Sequence, residues 1–204
     1  MRRVLRILMV VCVATSGVLM VEAWIPAALA QTPATATARP RTGREPFPGL
    51  TRFFRIDPTA ANGSQLQSRE QALPELARRG FKSVVNVAGG PDAEAEGTAV
   101  RSAGMKYYLL TIAPDGAPQG QYDPVRVERV IDVISDPVNH PVFMHSGNGH
   151  RTAMIWMIKR VVKDGWTVEE AGAEAATVGL INDNPTVSLQ WKFAHDYIVA
   201  RSGK

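Results

Sequence analysis

The sequence predicts an α/β fold of three layers, in which helices cover both faces of a mostly parallel sheet. From about residue 51 onward, short runs rich in β-branched and aromatic residues alternate with longer segments of helical periodicity. Strands that alternate with helices are joined by crossover connections, which make neighbouring strands parallel and cover the sheet on both sides. Ligands of such folds bind at the carboxyl ends of the strands.

The elements follow one another in a regular order. Strand-like runs cover residues 51–56, 82–88, 106–112 and 141–145, and helical patterns cover residues 73–80, 123–135, about 152–165, 167–179 and 188–202. Pro74 fits only the first turn of its helix, and Gly80 ends that helix. Asp123 followed by Pro124 predicts the start of the second helix, and its apolar residues at helical spacing are Val127, Val130, Ile131 and Ile134. Thr167 and Glu170 have the spacing of a capping box.

The amino terminus has the pattern of a secretory signal peptide over residues 1–30. Three arginines precede an apolar run at residues 7–21, and Ala28-Leu29-Ala30 suits cleavage before Gln31. The alternative is a membrane anchor that stays attached, but the run is shorter than the roughly 20 apolar residues of a spanning helix. We therefore expect an exported protein, periplasmic or secreted, with no stable membrane anchor after cleavage.

The expected mature chain has two parts. Residues 31–45 are rich in Thr, Ala, Pro and Arg and predict a flexible linker, and residues 46–204 predict one folded domain. Removal of residues 1–30 takes away three arginines and one glutamate, which lowers the formal charge of the whole chain from +4 to +2. This small charge argues against nucleic-acid binding.

Cleavage also removes Cys12, the only cysteine of the chain. The mature protein then has no thiol nucleophile, no disulfide and no thiolate metal ligand. The four histidines have no metal-binding spacing, and we expect neither a metal nor a cofactor.

The stretch PVFMHSGNGHRTAM, residues 141–154, predicts an anion-binding loop between a strand and a helix. Glycines permit backbone angles that turn successive N–H groups inward, and the helix amino terminus adds partial positive charge. Arg151 can contact phosphate oxygens with two N–H groups at once. The predicted phosphate-binding residues are Ser146, Gly147, Asn148, Gly149, His150 and Arg151. The alternative is an ordinary strand-to-helix turn in which the glycines only ease the reversal of the chain.

At these residues the chain resembles the protein tyrosine phosphatase superfamily, whose loop reads His-Cys, a glycine-containing turn and Arg. Four residues separate Ser146 from Arg151, where five usually separate Cys from Arg. The shorter loop is similar to a bacterial dual-specificity-phosphatase-like branch related to the phosphatase domain of beta-lactamase-hydrolase-like proteins. The likeness covers about residues 50–200, with Gly63, Ser64 and Gln65 at a turn after the first strand.

The resemblance places Ser146 in the position of the nucleophilic cysteine. A cysteine pKa of about 8.5 can fall to roughly 3.5–7.5 in such a field, but an alcohol starts far too high to ionise and needs a general base. His145 should point to the opposite face of its strand, and His150 lies in the loop, where a cation is more useful than a base.

The resemblance also implies a general acid on a neighbouring loop. Asp115 is the candidate, with an ordinary turn residue as the alternative, because Asp123 is better explained as a helix cap. Asp92, Glu94 and Glu96 are expected to form a solvated loop.

Two functions remain open. The first is an exported pseudophosphatase that binds a phosphorylated small molecule or a phosphoprotein, with catalysis impaired by Ser146. The second is an active phosphomonoester hydrolase in which Ser146 or an activated water attacks phosphorus.

Overall fold

The computed structural model describes residues 43–180 and 185–202. The predicted signal peptide and most of the predicted linker lie outside these residues. At the start of the described chain, Gly43 and Arg44 already pair with a strand of the domain.

The described residues form a six-stranded mixed sheet with the strand order β1-β2-β3-β6-β4-β5. The strands are β1 (Gly43–Arg44), β2 (Phe53–Asp57), β3 (Ala60–Ser64), β4 (Ser83–Asn86), β5 (Lys106–Leu109) and β6 (Val142–Ser146). Strands β3, β6, β4 and β5 are parallel, whereas β1 and β2 add an antiparallel edge. Strand β6, which carries the predicted loop at its end, therefore lies in the interior of the sheet.

Helices cover both faces of this sheet. They are α1 (Arg69–Arg78), α2 (Ala93–Ser102), α3 (Pro124–Ser135), α4 (His150–Val162), α5 (Val168–Thr177) and α6 (Pro185–Ser202). Buried residues of α1 and α2 pack in one apolar core, and those of α3 to α6 pack in a second core. The predicted three-layer α/β fold is confirmed.

The side chains of β6 alternate between the two cores. Phe143 packs with α1 and α2, while Val142 and Met144 pack in the core of α3 to α6. Since successive residues of a strand point to opposite faces, His145 follows Phe143 to one side and Ser146 follows Met144 to the other. The prediction that His145 points away from Ser146 is confirmed.

The helix caps that the sequence predicted are formed. The Asp123 side chain accepts hydrogen bonds from the N–H groups of Val125 and Arg126 at the start of α3. Thr167 and Glu170 make both hydrogen bonds of the capping box at the start of α5. Short-range polar patterns thus fix these helix ends.

Two local predictions were wrong in the first half of the domain. Helix α1 begins at Arg69, so Pro74 lies inside the helix and not in its first turn. Gly63 and Ser64 belong to strand β3 and not to a turn. A Cβ at Gly63 would lie 3.1 Å from the Phe143 ring and 2.5 Å from the carbonyl of Arg52, so only glycine permits this close packing.

A third prediction was wrong between β4 and β5. The segment expected as a solvated loop contains α2, and Glu96 on that helix is buried. Glu94 is exposed as expected. The face of α2 that includes Ala93, Glu96 and Val100 packs against the domain, which removes Glu96 from solvent.

Across residues 43–180 and 185–202, no helix combines the length and the apolar character that a membrane crossing requires. The same residues contain no group of three His, Cys, Asp or Glu side chains arranged to hold a metal ion.

Candidate functional site

The predicted loop lies where three parallel strands end. Strands β3 and β6 pair in register up to Ser64 and Ser146, and β4 ends beside them at Asn86. Residues 147–149 then lead directly into α4, which begins at His150. The loop therefore occupies the sheet edge at which ligands of α/β folds bind.

The carbonyl groups of the loop point outward. Gly147 O accepts from Gln65 N at 3.3 Å, and Asn148 O accepts from Nη1 of Arg52 at 3.1 Å. In a trans peptide the N–H of the next residue points opposite to the carbonyl. The N–H groups of Asn148 and Gly149 therefore point into the loop, and that of Gly149 donates to Ser146 Oγ at 3.2 Å.

Four backbone donors at the loop have no partner among the described residues. They are the N–H groups of Gly147, Asn148, Arg151 and Thr152. Gly149, with a φ of 87°, adopts the left-handed conformation that this turn requires. Unpaired N–H groups at a helix amino terminus form a cradle whose partial positive charge suits an anion.

Arg151 adds a cation to this cradle. Its half-buried side chain makes no hydrogen bond or ion pair within the part of the chain that the structure describes. A Cβ added to Gly147 would lie 4.0 Å from Nη2 of Arg151, so the guanidinium group folds back over the loop. Burial lowers the pKa of Arg151, because the surrounding chain removes water from around its charge.

Ser146 lies beneath the loop and is completely buried. Among the described residues its Oγ contacts no imidazole or carboxylate within hydrogen-bond distance, and its hydrogen bond comes from Gly149 N. On the other face of the strand, His145 Nε2 donates to Glu96 Oε1 at 2.9 Å. The arrangement gives Ser146 no general base.

Glu96 is the buried anchor of a polar cluster behind the loop. Its Oε1 also accepts from Nδ2 of Asn86 at 3.2 Å. Burial by itself raises the pKa of Glu96, but hydrogen bonds, first of all from His145, outweigh burial and hold the pKa below its usual range. The carboxylate is therefore ionised at neutral pH and fixes the orientation of the His145 ring.

A hollow of about 440 Å³ opens above the loop. Arg151 is the only charged side chain among the described residues that line it. Gln190 on α6 is buried, and its Oε1 has no partner within the described residues. Burial raises the pKa of Tyr122, and the nearby Gln190 amide partly offsets this rise. The lining residues are Ala113, Ala117, Pro118, Gln119, Gly120, Gln121, Tyr122, Gly147, Asn148, Arg151 and Gln190.

Several solved structures that share this architecture are described as phosphatases. A DUF442 phosphatase from Shewanella putrefaciens CN-32 has a TM-score of 0.57 and 18% identity, over 75% of this chain and 92% of that chain. The core catalytic domain of the S. cerevisiae PP-IP phosphatase SIW14, in complex with citrate, has a TM-score of 0.56 and 16% identity. The match covers 71% of this chain and 84% of that chain. P. aeruginosa TpbA, as a cysteine-to-serine variant in complex with pTyr, has a TM-score of 0.54 and 21% identity. The match covers 74% of this chain and 91% of that chain.

The domain has the protein tyrosine phosphatase-like fold. Neither a family model nor a curated protein matches the chain at the level of sequence. The likeness therefore concerns the chain path, and the chemistry at the 146–151 loop depends on this chain's own residues.

The candidate acid Asp115 does not line the hollow above the 146–151 loop in this structure. It is exposed and lines a separate hollow with Thr111, Arg126 and Arg129. No carboxylate of the described residues lines the hollow above Arg151. Asp115 could serve as the acid only after a movement of the segment that carries it.

His150 is held as a neutral ring, against the expectation that it supplies a cation. Its Nε2 lies 2.9 Å from Nη1 of Arg52, and an arginine can only donate in such a contact. Burial and then the charge of Arg52 lower the pKa of His150. Arg52 thereby holds the outer side of the loop through His150 and Asn148.

Sequence reasoning missed Arg52, Glu96, Tyr122 and Gln190. A signal existed for α2, because Ala93, Gly97 and Val100 have the spacing of one helix face. No short-range pattern marks Gln190, which reaches the hollow only because α6 packs against α4.

Proposed function

We propose that this chain is an exported phosphatase-like protein that binds phosphate monoesters or similar anions in the 146–151 loop. Its turnover is low because Ser146 stands where a thiolate nucleophile is needed. The ligand is a phosphorylated small molecule or a phosphoprotein. Export rests on the signal-peptide pattern of residues 1–30 and predicts a mature chain that begins near Gln31.

The unpaired N–H groups of the loop carry this proposal. Those of Gly147, Asn148 and Arg151 have no partner among the described residues, and the Arg151 guanidinium adjoins the same loop. A dianion would supply acceptors for these donors and a counter-charge for the arginine at once. None of these contacts requires a thiol.

The surroundings of Ser146 support impaired catalysis. A serine nucleophile requires a base within hydrogen-bond reach, as in serine hydrolases. His145 points to the other face of the sheet and is engaged with Glu96. His150 is engaged with Arg52. The TpbA variant with serine in place of a cysteine is in complex with pTyr, which supports binding in the absence of a cysteine.

Calorimetric titration of the full-length chain with inorganic phosphate tests binding. We expect Arg151→Ala to weaken phosphate binding by at least about tenfold, since a charge-assisted contact contributes roughly 1.5–3 kcal/mol. Arg129→Ala is the matched control, because Arg129 is exposed and lines a different hollow. Equal affinities of the wild type and Arg151→Ala would refute the binding site.

Hydrolysis of p-nitrophenyl phosphate tests the role of Ser146. Ser146→Cys should raise the rate, and each tenfold gain corresponds to about 1.4 kcal/mol of barrier. Ser146→Ala should retain phosphate binding with the low activity of the wild type. In the Ser146→Cys background, Asp115→Asn should lower the rate if Asp115 moves in as the acid.

The alternative function has a clear signature. Substantial hydrolysis by the wild type that disappears in Ser146→Ala would identify an active phosphomonoester hydrolase with Ser146 as its nucleophile. Export is tested separately by amino-terminal sequencing of the protein from the producing cell. Recovery of intact Met1 in the cytosol would refute it.

A further inference from the structure

We propose that the preferred ligand is a soluble monophosphate of an uncharged polyol or sugar, with Gln190 recognising one of its hydroxyl groups. This inference rests on the proposed phosphate site and adds the class of the group attached to phosphorus. It follows from the size, the charge and the unpaired hydrogen-bonding groups of the hollow above Arg151.

The hollow is larger than a phosphoryl group needs. Its volume of about 440 Å³ lies within the range of small-molecule sites. The phosphate would occupy the base, against the N–H groups of Gly147 and Asn148. The rest of the volume, towards Tyr122 and Gln190, is then available to the group that phosphate esterifies.

The charge of the walls fits one phosphate. Arg151 is the only charged side chain among the described residues that line the hollow. Each phosphate monoester carries a charge of about −1.5 to −2 at neutral pH, and a second one would lie in the hollow without a cation. The remainder of the ligand is therefore uncharged.

Gln190 indicates what that remainder presents. The residue is only 5% exposed, yet its Oε1 has no partner among the described residues. The Tyr122 side chain lines the same hollow close to the Gln190 amide, which partly offsets the rise that burial causes in the pKa of the Tyr122 hydroxyl. A buried acceptor of this kind is satisfied by an O–H or N–H donor, and a hydroxyl is the donor that adds no charge.

The remaining walls fit a hydrophilic group better than an aromatic ring. Amide side chains come from Gln119, Gln121 and Asn148, and the purely apolar side chains are small ones, Ala113, Ala117 and Pro118. Two large apolar walls that could sandwich a phenyl ring are missing from the described lining. A phosphotyrosine peptide is accordingly the less suitable ligand.

Calorimetry on the full-length chain tests this preference with inorganic phosphate, glucose 6-phosphate, phosphotyrosine and glucose 1,6-bisphosphate as probes. Glucose 6-phosphate should bind about tenfold more tightly than inorganic phosphate or phosphotyrosine, a difference of ~1.4 kcal/mol. The bisphosphate should bind no more tightly than glucose 6-phosphate. Gln190→Met should reduce glucose 6-phosphate binding to the level of inorganic phosphate and leave phosphate binding unchanged.

Two controls separate recognition from folding. Gln71→Met changes an exposed glutamine of α1 and should alter neither affinity. Tyr122→Phe removes the only hydroxyl side chain among the described residues that line the hollow beside Gln190, and it should weaken glucose 6-phosphate binding selectively. If Gln190→Met fails to fold, the affinities of Tyr122→Phe for glucose 6-phosphate and for inorganic phosphate decide whether the hollow recognises the sugar.

The two proposals fail in different ways. Loss of all phosphate binding, or phosphate binding that survives Arg151→Ala, refutes the phosphate site. Suppose instead that phosphate binding depends on Arg151. If glucose 6-phosphate is then not preferred, or if Gln190→Met weakens both probes equally, only the polyol inference is refuted. Preferential binding of phosphotyrosine, or of phosphatidylcholine vesicles carrying phosphatidylinositol 4-phosphate, also overturns it.

Discussion

Replacing Glu96 with alanine should destabilise the domain, because the carboxylate joins α2 to the strand that carries the loop. His145 Nε2 donates to Glu96 Oε1 at 2.9 Å, and the two residues are 1% and 6% exposed. The carboxylate is the acceptor that the structure provides for this imidazole. The imidazole N–H would therefore be left buried and unpaired.

The expected loss of folding free energy in Glu96→Ala follows from the groups that lose their hydrogen-bond partner. A buried donor without an acceptor costs about 1–3 kcal/mol, and loss of one partner of a buried ionic contact costs more. Asn86 also donates to Glu96 but keeps a contact with the Tyr107 hydroxyl, so its loss is smaller. We expect the free energy of unfolding to fall by about 2–4 kcal/mol in Glu96→Ala.

Urea unfolding followed by circular dichroism measures this difference. Glu96→Gln keeps an acceptor at the same place and should cost only about 1 kcal/mol at neutral pH. Glu94→Ala is the matched control, because Glu94 lies on the exposed face of the same helix and should change stability by less than about 0.5 kcal/mol.

The pH dependence gives a second, independent test. The pKa of Glu96 is lowered in the folded state from its ordinary value of 4.5, so its stabilising effect is complete above that pH. The effect is lost as pH falls through the folded-state pKa. The advantage of the wild type over Glu96→Gln should therefore shrink below about pH 4.5. A Glu96→Ala protein as stable as Glu94→Ala would refute the assigned role of the buried pair.

Three further predictions concern single residues. Arg160→Met should lower the free energy of unfolding by about 3–5 kcal/mol, because the cation that faces the half-buried Asp57 at 3.0 Å is removed; a loss below about 1 kcal/mol in urea unfolding would contradict this. Gly149→Ala should weaken phosphate binding in calorimetry, because a φ of 87° costs alanine about 1–2 kcal/mol; unchanged affinity would show that the turn tolerates a side chain. Burial, and then the charge of Arg52, lower the pKa of His150 from its ordinary value of 6.5. The neutral His150 ring therefore stabilises the fold fully above pH 6.5, and this stabilisation is lost as pH falls through the folded-state pKa. The melting temperature should thus fall more in the wild type than in His150→Gln between about pH 7.5 and 5.5, and equal falls would exclude this effect.

The sequence alone determined the features that depend on neighbours along the chain. Alternating strand and helix patterns predicted the three-layer fold, which the described residues have. The Asp123 cap and the Thr167–Glu170 capping box are formed because their partners lie two or three residues away. The order of strand, glycine turn and arginine at 142–151 also placed the loop correctly at the end of β6.

Tertiary structure decided the features that depend on residues distant in sequence. Strand β3, Ala60–Ser64, consists of small and polar residues without strand propensity and forms only because β2 and β6 flank it. Glu96 becomes a buried partner of His145 because α2 covers the face of the sheet to which His145 points, although 49 residues separate the two. Gln190 and Tyr122 meet above Arg151 in the same way. Their roles arise from burial and from the lack of alternative partners, and these depend on which surfaces meet in space.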